Sequence, residues 1–147
     1  MRLSEVAQGF LHVREQPLGS NRSPEIDGWL RAVGAPLGSP WCAAALYAWL
    51  TAAGRQPPVR SGRVQDWVDK GTLFPIEVVQ PDDVIVFWFE SLHRYAHIAA
   101  AVSVNSQTVQ TCEGNTIPTG FKGDTREGFG VFNRTLHFSN KLKVLRW

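Results

Sequence analysis

Apolar residues in the first third of the chain recur every three or four residues, the spacing of one face of an α-helix. Two such stripes are present, one near the N-terminus and one before Gly34. They comprise Leu3, Val6, Ala7, Phe10 and Leu11, and then Ile26, Trp29, Leu30 and Val33. Ser23 is a suitable N-cap for the second helix and Pro24 fits its first position, while Gly34 fits its end. The pattern therefore predicts two amphipathic helices.

The segment WCAAALYAWLTAA is apolar on nearly every side, which predicts a buried helix. We expect Ser39 to be its N-cap, Pro40 to be its first residue, and Gly54 to end it. A short fourth helix is predicted over residues 62–70, with Ser61 as its N-cap and a following glycine as its stop.

The second half of the chain changes to runs of β-branched and aromatic residues bounded by polar turns, which is typical of strands. The polar pair Asn105-Ser106 separates two of these runs and predicts a hairpin. Helices followed by antiparallel strands predict an α+β fold. No repeat or long linker divides the chain, so one domain is expected to span residues 1–147. Strands are predicted over residues 83–89, 97–104, 107–112, 128–135 and 142–147.

Composition and charge narrow the possible functions. The 147 residues are 44% apolar and 19% charged, an ordinary globular balance. The formal charge is only +2 and the basic residues are scattered, which argues against nucleic-acid binding. No apolar stretch is long enough for a membrane span, and the N-terminal segment lacks the apolar core of a signal peptide. We therefore expect that the chain starts in the cytoplasm or that a leader has been removed from it.

Cys42 is the first candidate for chemistry. With Ser39 as N-cap, Cys42 falls at the third position of the buried helix, where the positive end of the helix dipole favours a thiolate. The alternative is that Cys42 is only a small buried apolar side chain. The other cysteine, Cys112, is interpreted as strand packing. The two form neither a disulfide scaffold nor a zinc pattern, although a single disulfide between them remains open.

A thiolate nucleophile requires a base, which is usually histidine. Of the four histidines, His97 is the preferred candidate because it begins a predicted strand that continues as the buried run IAAAV. His93, in the preceding loop, is the rival base, and a purely structural role for His97 is the alternative. His12 and His137 are interpreted as surface residues.

The base in turn requires an orienting partner. If the hairpin centres on Asn105, His97 and Glu113 face each other directly, on the same side of the sheet. Glu113 would then hold the imidazole in the required tautomer, unless it is an exposed carboxylate at a strand end. Asn115 is the alternative orienting group or an oxyanion donor, and its other interpretation is a turn residue in EGNT.

Two tryptophans lie near these candidates in the sequence. Trp41 precedes the nucleophile, and Trp88 ends the strand before the loop that leads to His97. Either ring is a candidate substrate-binding residue, by stacking on a sugar or flanking a peptide. Packing between helix and sheet is the alternative for both.

Several segments resemble the CHAP amidase/peptidase domain, a papain-like group related to the NlpC/P60 peptidoglycan hydrolases. The segments are GSPWCAAALYAWL, HIAAAV and CEGNT, in that order, together with PDDVIVF. In the last of these Asp82 stands where the family usually has glycine. The resemblance implies a papain-like fold in which Cys42 is the nucleophile, His97 the general base and Glu113 the orienting acid. It also implies that Asn115 assists the histidine or the oxyanion.

The resemblance further implies a peptidoglycan hydrolase that cleaves either the sugar–peptide amide or a bond within the stem peptide or cross-bridge, without a metal or organic cofactor. The alternatives are a papain-like protease or acyl transferase acting on proteins, and a non-catalytic module that binds wall peptides or a protein partner. A phage endolysin, a delivered toxin with an immunity partner and a part of a tail protein are all possible settings. In each, the domain would act in the periplasm or on the cell wall.

Overall fold

The structure is a computed structural model that describes residues 1–120 and 128–147. Within these residues, helices come first and an antiparallel sheet follows, which confirms the predicted α+β class. The sheet has six strands in the order β1-β6-β2-β3-β4-β5. The helices are α1 (Leu3–Gln8), α2 (Pro24–Ala32), α3 (Cys42–Ala52) and α4 (Val64–Asp69). The strands are β1 (Thr72–Pro75), β2 (Val84–Phe89), β3 (Arg94–Val104), β4 (Thr108–Thr116), β5 (Gly130–His137) and β6 (Leu142–Arg146).

Helix α2 begins as its sequence predicts. The Ser23 hydroxyl accepts a hydrogen bond from the Ile26 N–H at 3.1 Å, and Pro24 occupies the first helical position. Gly34 follows the helix with a φ of 72°, a left-handed conformation that glycine adopts without steric cost. Within residues 1–120 and 128–147, none of the helices has the length and apolar character needed to cross a membrane.

The predicted starts of α3 and α4 are wrong by two residues each. Ser39 does not cap α3, because its hydroxyl donates to the Pro36 carbonyl at 2.6 Å and closes the preceding turn instead. The helix begins at Cys42, with Trp41 as its N-cap. Ser61 likewise closes a turn by accepting from the Arg63 N–H, so that α4 begins only at Val64. Hydroxyl groups in both loops satisfy nearby turns rather than helix ends.

Helix α3 is buried, as its apolar sequence predicts, and it packs against β3, β4 and the other N-terminal helices. Leu46, Trp49 and Leu50 have no exposed surface. They belong to the larger of two apolar clusters, which lies between the helices and the sheet. Burial of these large side chains stabilises α3 against the sheet, so its first turn is held in a fixed position.

The β3–β4 hairpin differs in register from the prediction. The turn has four residues, closed by the Asn105 N–H donating to the Thr108 carbonyl, so the hairpin does not centre on Asn105. Ala100 pairs with Cys112, which leaves Glu113 two residues away from direct register with His97. A displacement of two residues keeps both side chains on the same face of the sheet, because side chains alternate with period two.

A bulge at Val102 is the reason that the side chains of His97 and Glu113 lie on the same face of the sheet. Between Ala101 and Ser103, β3 advances by two residues while β4 advances by one, from Thr111 to Gln110. The register at the turn therefore differs by one residue from the register beyond the bulge. Continued without the bulge, the turn register would point the side chains of His97 and Glu113 to opposite faces.

Asp82 has a backbone conformation that is usually reserved for glycine. Its φ is 72°, in the left-handed region where glycine is favoured and aspartate is tolerated. The Asp82 carboxylate accepts from the Ser4 N–H at 2.9 Å, and its carbonyl accepts from Arg55 at 2.7 Å. Contacts to two distant segments offset the cost of this backbone conformation.

Candidate active site

Cys42 occupies the first position of α3, where the helix N–H groups lack intrahelical partners. Its N-cap, Trp41, makes no side-chain capping bond, so no side chain of the cap competes for these donors. The Cys42 side chain is 4% exposed and lies in the wall of a cleft. The thiol is thus almost completely buried but reaches solvent through the cleft, and it lies next to the positive end of the helix dipole.

Trp41 fixes this first turn from the inside. Its indole Nε1 donates to the buried Glu15 carboxylate at 2.9 Å, and the ring has no exposed surface. The other oxygen of Glu15 accepts from the Gly19 N–H at 2.9 Å. The candidate substrate-binding residue Trp41 is therefore placed in the core, and its hydrogen bond ties the start of α3 to the N-terminal segment.

Strand β4 passes directly against this turn at Gly114. A Cβ atom at that position would lie 2.8 Å from the Cζ3 atom of Trp41 and 3.0 Å from the Cβ atom of Ala45. Only glycine allows the strand to approach the helix so closely. The glycine of the EGNT motif therefore brings Glu113 next to the start of α3.

His97 lies within β3 rather than at its beginning, and it is completely buried. Its Nε2 atom is 2.8 Å from Oε1 of Glu113, and its ring makes an edge contact with Phe87. This hydrogen bond leaves Nδ1 as the nitrogen available to the Cys42 thiol. Burial alone would lower the pKa of His97, but the Cys42 and Glu113 side chains outweigh it and raise this pKa to about 9.

Glu113 is buried rather than exposed at a strand end, and it is surrounded by donors. The hydroxyls of Thr111 and Thr116 both donate to its carboxylate. An Arg134 nitrogen lies 3.7 Å from Oε1. Burial would raise the pKa of Glu113, but the hydrogen bond and charge of His97, with Arg134 and Thr111, hold this pKa below its usual value. The acid is thus an anion at neutral pH.

The three supporting residues around Glu113 escape prediction from the sequence. Thr111 lies on the same strand two residues earlier, a spacing that places both side chains on one face. That alternation is the one signal that could have identified it. Thr116 and Arg134 depend on a bulge and on the β4–β5 pairing, which local sequence does not specify.

Asn115 is buried and lies within β4, so its interpretation as a turn residue is wrong. Its φ is 54°, and it falls where β4 has one more residue than β5 between Glu113 and Thr116. Asparagine tolerates this left-handed conformation better than most residues. The second polar residue of the motif therefore forms a bulge beside the acid.

The other histidines lie away from the thiol. His93 is exposed in the turn between β2 and β3, where its ring contacts Trp88 at 5.3 Å. His12 and His137 are exposed, as expected of surface residues. Among the described residues, His97 is the one histidine whose pKa is raised by the Cys42 side chain.

The cleft beside Cys42 has a volume of about 500 Å³. Its walls come from the end of α2, the loop before α3, residues 59–64 and the start of β3. Trp88 lies outside these walls, half-buried against Tyr95, with its indole donating to Glu90. The cleft therefore exposes the sulfur to a ligand and keeps the imidazole behind it. Apolar side chains in the walls include Val33, Ala35, Val59, Val64 and Ala96.

Comparisons of this sequence with protein-family models and with curated proteins find no match. Among residues 1–120 and 128–147, no three His, Cys, Asp or Glu side chains are grouped so as to hold a metal ion. The described residues bring together a thiol, an imidazole and a carboxylate in the order that nucleophilic acyl chemistry requires.

The two cysteines should react differently with iodoacetamide. Both are free thiols, but burial, with the nearby Glu113 charge, raises the pKa of Cys112 to about 12. We expect the native protein to gain one adduct, at Cys42, and the protein in denaturant to gain two. Mass spectrometry of intact and digested protein measures this. Labelling of both cysteines at similar rates in the native protein would contradict the assignment.

The raised pKa of His97 makes stability depend on pH. The folded protein holds the imidazolium more tightly than the unfolded chain, whose imidazole has a pKa near 6.5. The stabilisation is fully present below about pH 6.5 and is lost as pH rises toward 9, by an upper limit of about 3 kcal/mol. Denaturant unfolding across this range measures the loss, and NMR titration of the His97 ring assigns it. A ring that titrates near 6.5 would refute the prediction.

Gly114→Ala should destabilise the protein by about 1–3 kcal/mol, because the added methyl group meets the anchored Trp41 ring. We expect reduced reactivity of Cys42 as well, since the first turn of α3 must move. Gly28→Ala is the matched control, because nothing lies within 4 Å of its added Cβ, and in helix α2 it should leave stability unchanged or raised. Equal urea midpoints for the two variants would show that β4 is not closely packed there.

Proposed function

We propose that this protein is a papain-like cysteine hydrolase of the CHAP type, which cleaves amide bonds in bacterial peptidoglycan. The observation that carries the proposal is the 2.8 Å hydrogen bond between the buried His97 imidazole and the Glu113 carboxylate, beside the Cys42 side chain that raises the pKa of His97. The order of these residues along the chain, and a cysteine helix against an antiparallel sheet, support the papain-like assignment.

The mechanism begins with a Cys42 thiolate paired with a His97 imidazolium. Glu113 accepts a hydrogen bond from Nε2 and favours the charged ring, which leaves the second ring proton on Nδ1, the nitrogen free to exchange it with the sulfur. The His97 ring and the Glu113 carboxylate are both fully buried, which strengthens their hydrogen bond because little water competes for it.

The thiolate attacks the amide carbonyl of a substrate in the cleft. Negative charge develops on the carbonyl oxygen, and the Cys42 N–H at the start of α3 is positioned to donate to it. His97 transfers its Nδ1 proton to the leaving amine, and the C–N bond breaks to leave a thioester. His97 then takes a proton from water, the hydroxide attacks the thioester carbonyl, and the C–S bond breaks to release the acid product and restore the Cys42 thiolate beside the imidazolium.

Peptidoglycan as the substrate rests on the resemblance of the cysteine, histidine and EGNT segments to the CHAP domain. Either the sugar–peptide amide or a bond of the stem peptide or cross-bridge is compatible with the chemistry. A protease or acyl transferase acting on proteins would use the same three residues. The immunity partner of a delivered toxin, if one exists, would cover the cleft.

Digestion of purified sacculi tests the proposal. The wild-type protein should release soluble fragments, and mass spectrometry of these fragments identifies the cleaved bond. Cys42→Ala serves as the inactive control, and casein serves as the protein substrate. Intact sacculi together with cleaved casein would favour a protease, and no hydrolysis of either substrate would favour a binding module.

A further inference from the structure

The cleft beside Cys42 is lined by more positive than negative side chains. Three arginines line it, Arg60, Arg63 and Arg94, and the one carboxylate among its lining residues is Asp66. A cleft of one sign attracts ligands of the opposite sign, and its walls concentrate the field. The partners of each arginine therefore decide what charge a ligand meets.

Asp66 compensates Arg63. Its Oδ1 atom lies 3.0 Å from an Arg63 nitrogen, and its Oδ2 atom accepts from the Ser61 hydroxyl at 2.7 Å. The Ser61 hydrogen bond and the Arg63 charge hold the pKa of Asp66 below its usual value, so it is ionised at neutral pH. This pair contributes no net charge to the cleft.

Arg60 and Arg94 have no such compensation. In the part of the chain that the structure describes, neither forms an ion pair with a carboxylate. Arg60 donates from Nε to the Ala32 carbonyl at 2.7 Å, which fixes the guanidinium beside Gly34. Arg94 is half-buried at the start of β3, on the strand that carries His97 three residues later.

Two arginines without a carboxylate partner among the described residues thus line the cavity that also exposes the nucleophile. A guanidinium binds a carboxylate through two parallel hydrogen bonds, a geometry that a neutral amide cannot match. Because Arg60 is already oriented by its bond to Ala32, less conformational freedom is lost when it binds a ligand.

We propose that Arg60 and Arg94 form a carboxylate-binding site, so that the preferred substrate is an acidic peptide with a free carboxylate near the scissile amide. The substrate class rests on the proposed hydrolase function, whereas the charge of the cleft does not. A substrate whose carboxylate is converted to a carboxamide would bind more weakly and react more slowly.

Alkylation of Cys42 tests the charge of the cleft without any assumed substrate. Iodoacetate and iodoacetamide deliver the same one-carbon group and differ in carrying a carboxylate or a carboxamide. The rate of reaction of Cys42 with iodoacetate, divided by its rate with iodoacetamide, should fall about three- to tenfold in Arg60→Gln and in Arg94→Gln. It should also fall when salt is raised, because the charges are partly exposed.

Lys141→Gln is the charge-matched control, because Lys141 is exposed and lies outside the cleft walls. It should leave the ratio unchanged, which separates a local effect from the loss of one net positive charge. His97 is identical in all the variants, so the imidazolium charge does not explain a difference among them. An unchanged ratio in both arginine variants overturns the carboxylate site.

Cross-linked muropeptides then test the substrate class. The wild-type protein should cleave the free-acid form with a kcat/KM about tenfold or more above that of the carboxamide form, a preference that both arginine variants reduce. Equal cleavage of the two forms by the wild type overturns the acidic-substrate proposal. If the wild type cleaves neither form, wall hydrolysis is contradicted instead. The alkylation ratio then tests the carboxylate site by itself. If an added phosphopeptide is cleaved in preference to the free-acid muropeptide, Arg60 and Arg94 are assigned to phosphate binding instead.

Discussion

Cys42→Ala should abolish hydrolysis while leaving the protein folded. Without the sulfur no thioester forms, and loss of a covalent nucleophile costs on the order of 10⁶ in kcat. Alanine fits the first position of α3 and removes a single small group from the wall of an existing cleft. Circular dichroism and urea unfolding check the fold, and release of soluble fragments from sacculi measures activity.

The second buried thiol supplies the control for this experiment. Cys112→Ala removes a cysteine of equal size from β4, next to the site but without a role in the mechanism. We expect it to retain activity within a few-fold while losing some stability, because it leaves a small cavity in the core. Hydrolysis that persists in Cys42→Ala and disappears in Cys112→Ala would reverse the assignment of the nucleophile.

Glu113→Gln should lower kcat/KM by about 10³–10⁴ with little change in shape. The carboxylate stabilises the imidazolium and fixes its orientation, and a neutral amide does neither well. The hydroxyls of Thr111 and Thr116 both donate to this side chain, so the amide NH₂ of glutamine must also face a donor. We therefore expect a loss of stability together with the loss of activity.

A spectroscopic measurement separates the catalytic effect from simple destabilisation. In Glu113→Gln, the NMR titration midpoint of His97 should fall well below the value of about 9 for the wild type. The substitution removes the hydrogen bond and the negative charge with which Glu113 raises the pKa of His97. Glu77→Gln, at an exposed position, is the charge-matched control and should change neither quantity. A His97 midpoint that is the same in both variants would mean that Glu113 does not act through the imidazole.

Local sequence signals identify the helices because their causes are local. Ser23 and Pro24 sit next to the N–H groups that they cap or replace, so α2 is predicted from its first residue. Ser39 offers the same signal before α3, but its hydroxyl serves the turn at Pro36. Composition cannot tell which of two nearby backbone groups a serine satisfies, and the position of Cys42 in its helix was misjudged for that reason.

The relation between His97 and Glu113 was predicted from a register that the structure does not have. Two departures, a longer turn and an extra residue at Val102, together displace the pairing by an even number of residues. His97 and Glu113 therefore lie on the same face of the sheet, as expected, but they are not directly opposite each other. Side-chain alternation is thus a more dependable guide than an assumed turn.

The contacts that distant segments of the chain make with the site could not be predicted from the sequence. Glu15 belongs to a segment whose pattern suggests only an amphipathic surface, yet its carboxylate is buried against Trp41, 26 residues later in the chain. Arg134 reaches Glu113 only because β5 pairs with β4. Contacts between segments so far apart carry no local sequence signal.

The bulge at Val102 also limits how the length of this hairpin can change during evolution. Removing one residue there, with the turn intact, would rotate either the acid or the base to the wrong face of the sheet. Insertions or deletions of two residues preserve the alternation. Homologous hairpins with the same turn are therefore expected to vary in strand length by even steps, unless a bulge is gained or lost at the same time.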